Sequence, residues 1–136
     1  MKKVISIFLA CCILIIGGVS TYAALPETIE PLWVNIDGFQ NNIYFNGANS
    51  SATATVIGKS GTTKITGTLT VYRQSGSNWI YVGSDSDTVT TSAMGLSVNF
   101  TGYSEVNYTS VLSFSLTRNG VTESESNTYY KTCPKS

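Results

Sequence analysis

Apolar and polar residues alternate with a period of two along most of this chain. The clearest run spans residues 65–72, where apolar residues and Gly67 alternate with threonines and a final tyrosine. Such alternation is typical of a β-strand that buries one face and exposes the other. Further runs lie at residues 32–36, 43–45, 52–56, 79–82, 96–100 and 108–116. We therefore predict an all-β domain whose first strand begins near Leu32.

Turn signals separate these runs at short, regular intervals. They include Asp37-Gly38, Asn46-Gly47, residues 59–62 and residues 75–78, whereas residues 85–92 are interpreted as a polar crossing with a short strand around Val89. About seven to nine short strands with turns every 8 to 12 residues are typical of an immunoglobulin-like sandwich. The predicted fold is thus an immunoglobulin-like antiparallel β-sandwich.

The strongest hairpin signal lies in residues 102–130, where Asn119-Gly120 separates two strand-like runs. A two-residue turn would pair Leu116 with Glu123 and place that carboxylate on the apolar face, at a cost of several kcal/mol if it stays unpaired. A three-residue loop with Gly120 at a bulge shifts the register by one residue and turns the carboxylate outward. The sequence favours the bulged loop.

Tyr108 stands at the start of the longer of these two runs, just after a loop. Immunoglobulin-like sandwiches place a corner tyrosine there, with its hydroxyl bonded to nearby backbone. Two residues later the chain has Ser110 where antibody domains have a cysteine. We predict a tyrosine corner at Tyr108 and a sandwich without an internal disulfide.

The N-terminus has the pattern of a secretory signal peptide. Lys2 and Lys3 precede an apolar run, and small residues lead to Ala23, where we predict cleavage. The alternative, a membrane anchor, needs about 20 apolar residues, and this run is shorter. The predicted organisation is a signal peptide (1–23), an extended lead-in (24–31), a β-sandwich domain (32–131) and a C-terminal tail (132–136).

Charge and histidine content exclude several classes of function. The chain has eight basic and eight acidic residues and no histidine. Cleavage would remove Lys2 and Lys3 and leave a mildly acidic protein, which does not suit nucleic-acid binding. Without histidine, the usual nucleophile–base pairs and zinc sites cannot form. We predict a secreted protein, released or held at the cell envelope, with no cofactor and no membrane contact after cleavage.

Few residues remain for other site chemistry. Asp85 and Asp87 are weak candidates for a calcium site, and the pairs Asp85/Asp87 and Glu123/Glu125 are remote candidates for glycoside hydrolysis. Cys133, beside Pro134 near the end of the chain, is interpreted as a free thiol on a frayed tail or as half of an intermolecular disulfide that links a dimer.

The aromatic residues carry the best binding signal. There are more of them than the inner faces can bury, and Tyr72 alternates with outward threonines. Exposed aromatic platforms on sandwich faces hold sugar rings in many carbohydrate-binding modules, and exposed apolar patches mark contact sites. Tyr72, Trp79 and Tyr81 are the predicted binding residues, with core packing and cross-strand pairing as the alternative.

Roughly residues 52–130 resemble a family of small secreted Gram-positive bacterial proteins of unknown function. The resemblance rests on residues 65–72, Trp79 with Val82, Gly102, Tyr108 and Asn119-Gly120. It implies an immunoglobulin-like sandwich behind a signal peptide and supplies no catalytic residue.

Together these features predict a secreted, non-enzymatic β-sandwich that acts as an extracellular or cell-surface binding module. Its partner is a glycan or a surface protein. One alternative is a carbohydrate-binding module that uses the surface aromatics, and another is an envelope protein that self-associates through an edge strand or a Cys133 disulfide.

Overall fold

The computed structural model of the protein describes residues 33–136, so the predicted signal peptide and lead-in lie outside the described residues. In this part of the chain all regular structure is β-strand. The strands are β1 (Ile36–Tyr44), β2 (Ser50–Gly58), β3 (Thr62–Ser75), β4 (Asn78–Val89), β5 (Ala93–Phe100), β6 (Asn107–Arg118) and β7 (Val121–Thr132).

The seven strands form two antiparallel sheets, which confirms the predicted all-β sandwich. One sheet has the order β1-β2-β5, and the other has the order β4-β3-β6-β7. Residues 85–89 of the predicted polar crossing are instead part of β4, which continues to Val89 and pairs with β3 except at Val82.

The core lies between the sheets and is filled by alternate residues of each strand. In β3, Ile65, Leu69 and Val71 are inaccessible to solvent, whereas the intervening residues are more exposed. Gly67 takes the remaining inward position, where an added Cβ would meet the flexible end of Met94 and lie 3.3 Å from the Cβ of Phe114. The alternation read from the sequence therefore assigns this strand's inner face correctly.

The β6–β7 hairpin has the register that the sequence analysis rejected. Arg118 pairs with Val121 and Leu116 with Glu123 across a two-residue turn. Asn119 and Gly120 have φ angles of 53° and 76°, the left-handed pair that a tight hairpin turn requires. The predicted three-residue bulged loop is wrong.

This register is possible because the N-terminal segment, residues 33–36, supplies donors to the inward-facing carboxylates. The carboxylate of Glu123 accepts N–H groups of Val34, Asn35 and Ile36 at 2.7, 2.9 and 3.2 Å. The indole N–H of Trp33 donates to Glu125 at 3.1 Å. Because both carboxylates are hydrogen-bonded, the cost of burying an unpaired charge does not arise. That cost was the reason for predicting the bulged loop.

Among the described residues, the first strand, β1, begins at Ile36, and residues 33–35 have no regular structure. The N–H groups of Val34 and Asn35 bind the Glu123 carboxylate and are therefore not available for a strand ladder. Asn35 is buried here and Val34 is 61% exposed, so the predicted alternation is wrong at these two positions. A register shift between Ile36 and Gly38 marks the predicted kink at Asp37-Gly38.

A buried polar group joins the two sheets near Ser110, where antibody domains have a cysteine. Asn41 of β1 donates through Nδ2 to the carbonyl oxygens of Ser110 and Asn127, at 3.0 and 3.1 Å. Its Oδ1 accepts the Ser110 hydroxyl at 2.6 Å. Hydrogen bonds thus link β1 to β6 and β7 across the two sheets.

Tyr108 has the geometry of the predicted tyrosine corner. Its side chain is inaccessible to solvent, and its hydroxyl accepts the N–H of Tyr103 at 2.9 Å and donates to the carbonyl of Thr101 at 3.3 Å. The ring packs against Phe45 and Phe100. Tyr108 therefore ties the loop before β6 to the core.

Substitution of Tyr108 by Phe is expected to lower the free energy of unfolding by about 1–2 kcal/mol, because the N–H of Tyr103 and the C=O of Thr101 each lose a part-buried hydrogen-bond partner. Urea denaturation measures the change. Tyr81→Phe is the matched control: this hydroxyl is exposed and bonds only Ser84, so its removal is expected to change stability by less than about 0.5 kcal/mol. Equal effects of the two substitutions would contradict the corner's structural role.

Candidate functional site

The outward face of the four-stranded sheet carries the predicted binding residues. Antiparallel pairing aligns its outward side chains in five rows, which pass through Gln74, Tyr72, Thr70, Thr68 and Thr66 of β3. The four rows from Tyr72 to Thr66 take one residue from every strand of the sheet, and the row of Gln74 pairs it with Trp79. The outward residues of β3 therefore lie in the middle of the face, and residues of β4, β6 and β7 lie on either side of them.

A β-bulge in β4 directs two of the aromatic side chains onto this face. Val71 pairs with Gly83, but the next residue, Tyr72, pairs with Tyr81, so Val82 has no partner. Beyond the bulge the outward positions of β4 change from even to odd numbers, which turns Trp79 and Tyr81 outward. The bulge is thus the local feature that assembles the aromatic end of the face.

Tyr72, Trp79 and Tyr81, the three predicted residues, lie together on this face. The rings of Tyr72 and Tyr81 meet edge to face with centroids 6.3 Å apart. Trp79 is 42% exposed and Tyr81 is 60% exposed. The structure therefore brings together the residues that the sequence analysis selected.

Tyr130 completes the aromatic cluster, and the sequence analysis did not select it. It lies in β7, at the opposite edge of the sheet from Trp79, yet the two ring centroids are only 6.0 Å apart at an interplanar angle of 53°. The two side chains together therefore span the two central strands. Thr109, in the same row as Tyr130, is only 5% exposed although it lies on an outer face.

The wrong hairpin register explains why Tyr130 was missed. With the bulged loop, Thr109 would pair with Tyr129, and Tyr130 would point to the interior. In the observed register Thr109 pairs with Tyr130, which brings Tyr130 into the row of Tyr72 and Tyr81. The Asn119-Gly120 pair was the signal in the sequence for the two-residue turn, and that turn would have placed Tyr130 on this face.

The aromatic cluster borders a shallow concavity of about 240 Å³. Its lining consists of the aromatic rings and the small side chains below them: Tyr72, Trp79, Thr109, Val111, Thr128 and Tyr130. A flat apolar wall beside hydroxyl groups suits a ligand that has both an apolar face and polar edges.

Hydroxyl groups cover the rest of the face. They bond in pairs across the strands: Thr68 with Ser86 at 2.8 Å, Thr66 with Thr88 at 3.2 Å and Ser115 with Ser124 at 2.7 Å. A second, open concavity of about 660 Å³ lies over these rows and is lined by residues of β3, β6 and β7. Each of these hydroxyls retains free hydrogen-bonding capacity toward a ligand.

Asp85 and Asp87, the weak candidates for a metal site, belong to the other side of β4. They pair with Leu69 and Gly67, whose positions face the core. One oxygen of Asp85 accepts the N–H of Ser97 in β5 at 3.0 Å, and Asp87 accepts the N–H of Thr88 at 2.8 Å. Residues 33–136 contain no group of three metal-binding side chains of the kinds His, Cys, Asp and Glu.

Glu123 and Glu125, the remote candidates for glycoside hydrolysis, are occupied by the N-terminal segment. Desolvation raises the pKa of Glu123, but the three backbone N–H groups and the charge of Lys59 outweigh it, so that this pKa lies below its ordinary value. A general acid needs the opposite shift. The contacts of Glu123 are those of a structural carboxylate.

Cys133 is not on a frayed tail, so that part of its interpretation is wrong. Its N–H donates to the carbonyl of Val106 at 2.9 Å, and its carbonyl accepts the N–H of Glu105 at 2.9 Å. The residue is 6% exposed and belongs to the hydrophobic core. The intermolecular disulfide stays a prediction, and its formation would require this segment to open.

Comparison with known proteins leaves the resemblance to a Gram-positive secreted family as a prediction. The described residues include no helix that is long and apolar enough to span a membrane. No protein-family model matches the chain, and no curated protein matches it in sequence.

Proposed function

We propose that this protein is a secreted, non-enzymatic binding module and that the aromatic end of its four-stranded sheet binds carbohydrate. The signal-peptide pattern supports secretion, and the lack of histidine supports a binding role. An immunoglobulin-like classification is part of the proposal. It is supported by the corner geometry of Tyr108 at the start of β6 and by the placement of β2 and β6 in opposite sheets.

The observation that carries the proposal is the Trp79–Tyr130 contact above the sheet. A tryptophan that only filled space would turn its indole into the core, but this one lies across an outer face and remains 42% exposed. Sugar rings present flat C–H surfaces that pack on aromatic faces, while their hydroxyls need polar partners close by. The concavity beside Trp79 offers both, with the exposed Thr128 next to the rings.

The alternative that these aromatics only stabilise the sheet is weaker on this geometry. Cross-strand pairing accounts for the Tyr72–Tyr81 contact. It does not account for Trp79 and Tyr130, which belong to opposite edge strands and are not cross-strand neighbours. Large exposed apolar patches mark contact sites.

Substitution of Trp79 by Ala is expected to weaken binding to neutral oligosaccharides about tenfold or more, the usual effect of removing a central aromatic anchor. Titration of the purified secreted protein with gluco-, xylo- and manno-oligosaccharides, followed by calorimetry, measures the loss.

Tyr44→Ala is the matched control for this substitution. Tyr44 is an aromatic of comparable exposure, 54%, but it belongs to β1 in the other sheet. We expect this variant to bind with unchanged affinity. Equal loss in both variants, or absence of saccharide binding by the unmodified protein, would overturn the proposal.

A further inference from the structure

The two concavities of the four-stranded sheet lie in line along the same strands. The smaller is bordered by Tyr72, Thr109 and Tyr130. The larger lies over the rows of Thr68 and Thr66, which are two and three rows beyond the row of Tyr72, and its lining includes Thr68 and Ser113. Both use β3, β6 and β7, and their lining residues occupy neighbouring rows, so we treat them as two parts of one groove parallel to the strands.

This groove is long enough for several sugar units. Its five rows are separated by two residues each, and a strand rises about 3.3–3.4 Å per residue, so that it extends for about 27 Å. Aromatic rings occur only at one end, in the first two rows. The other three rows have mainly hydroxyl-bearing side chains, so the groove offers stacking at one end and hydrogen bonds along the rest.

No outward side chain of the groove carries an ionic charge, and the one charged residue that lines the larger concavity, Glu125, accepts the indole N–H of Trp33. From the row of Trp79 to the row of Thr66, none of the outward positions is Asp, Glu, Lys or Arg. The nearest acidic residues of β4, Asp85 and Asp87, share the side of the sheet that faces the core. An anionic polymer would find no cation here to replace its lost hydration, whereas a neutral polymer has no charge to desolvate.

We infer that this groove binds an internal stretch of a neutral polysaccharide, which runs along the strands from the aromatic cluster over the Ser/Thr rows. The inference rests on the proposed carbohydrate-binding function and extends it. A site limited to the aromatic cluster would bind a single unit or a chain end. The extended groove binds several units, with one ring packed on Trp79 and Tyr130 and the hydroxyls of later units bonded to Thr68 and Ser113.

The test compares short and long neutral oligosaccharides on two lysine variants of the full secreted protein. We expect the hexasaccharide of the preferred sugar to bind about tenfold or more tightly than its disaccharide. Ser113→Lys inserts a long charged side chain into the middle of the groove and is expected to remove this gain while disaccharide affinity stays unchanged. The matched control is Thr55→Lys, at an exposed position in the central strand of the other sheet, which is expected to change neither affinity.

The outcomes separate the inference from the function on which it rests. If disaccharide and hexasaccharide bind equally well and both depend on Trp79, the aromatic site stands and the extended groove is wrong. Tighter binding of polygalacturonate than of neutral polymers would overturn the neutral specificity. If no saccharide of any length binds, both proposals fail together.

Discussion

Substitution of Asn41 by Ala is expected to destabilise the protein by about 3 kcal/mol, the largest single effect predicted here. The side chain is buried and donates to the carbonyls of Ser110 and Asn127 on the opposite sheet, while it accepts the Ser110 hydroxyl. Its truncation leaves the buried carbonyl and hydroxyl of Ser110 and the part-buried carbonyl of Asn127 without this partner, and each buried group costs about 1–3 kcal/mol when water cannot replace it. Chemical denaturation followed by tryptophan fluorescence measures the change.

Two further variants separate loss of these hydrogen bonds from general damage to β1. Gln40→Ala alters the exposed neighbour on the same strand and is expected to cost less than about 0.5 kcal/mol. The double variant Asn41→Ala with Ser110→Ala is expected to cost less than the sum of the two single changes, because the second removes a group left unpaired by the first. Additive effects, or a loss below about 1 kcal/mol for Asn41→Ala, would refute the inter-sheet bridge.

Substitution of Glu123 by Ala is expected to cost about 2 kcal/mol at neutral pH. The three N–H groups of the N-terminal segment then lose a charged acceptor, and hydrogen bonds to charged groups contribute about 1.5–3 kcal/mol each before solvent access reduces the effect. Access is substantial here, since Val34 is exposed. Thr122→Ala, at an exposed position beside it on β7, is the control and is expected to be near neutral.

The effect of Glu123 is expected to depend on pH in a defined direction. Its pKa is lowered in the folded protein, so the carboxylate stabilises the fold above its ordinary pKa of 4.5 and loses this contribution as the pH falls through the folded value. The difference in unfolding free energy between the unmodified protein and Glu123→Ala should therefore shrink below about pH 4.5. A difference that stays constant down to acidic pH would mean that the three backbone contacts do not depend on the charge.

The sandwich could be predicted from the sequence because strands with one buried face repeat their chemistry every second residue. In β3 the pattern of residues 65–72 identifies every inward and outward position. The limit of such reasoning appears in β4, where a bulge at Val82 inverts the pattern. Period-two alternation does not reveal which residue a strand skips, so the outward direction of Trp79 became clear only from the pairing.

The predicted hairpin register was wrong because the hydrogen bonds that stabilise the observed register come from a distant part of the chain. If only the residues of the hairpin are considered, an inward Glu123 is an unpaired charge. The bulged loop would turn this carboxylate outward. The compensating donors lie about ninety residues away in sequence, in the N-terminal segment. Long-range hydrogen bonds of this kind leave no periodic signal, and the same error concealed Tyr130 from the candidate site.

The aromatic cluster was therefore predictable only in part. Tyr72 followed from its position among outward threonines, and Tyr81 and Trp79 followed from the surplus of aromatic residues. The contact between Trp79 and Tyr130 required the sheet order β4-β3-β6-β7, which separates their strands by two others. The order of strands in the sheet cannot be predicted from composition or from the alternation of apolar and polar residues.

Mapping of amide and indole chemical shifts by NMR, on titration with a neutral hexasaccharide, tests the central claim most directly. We predict that the largest changes fall on the Trp79 indole N–H and on backbone amides of β3, β6 and β7 along the outer face, and that β1, β2 and β5 stay unchanged. Changes centred on the three-stranded sheet, or no changes with any neutral polysaccharide fragment, would contradict the assignment of this face as a carbohydrate-binding surface.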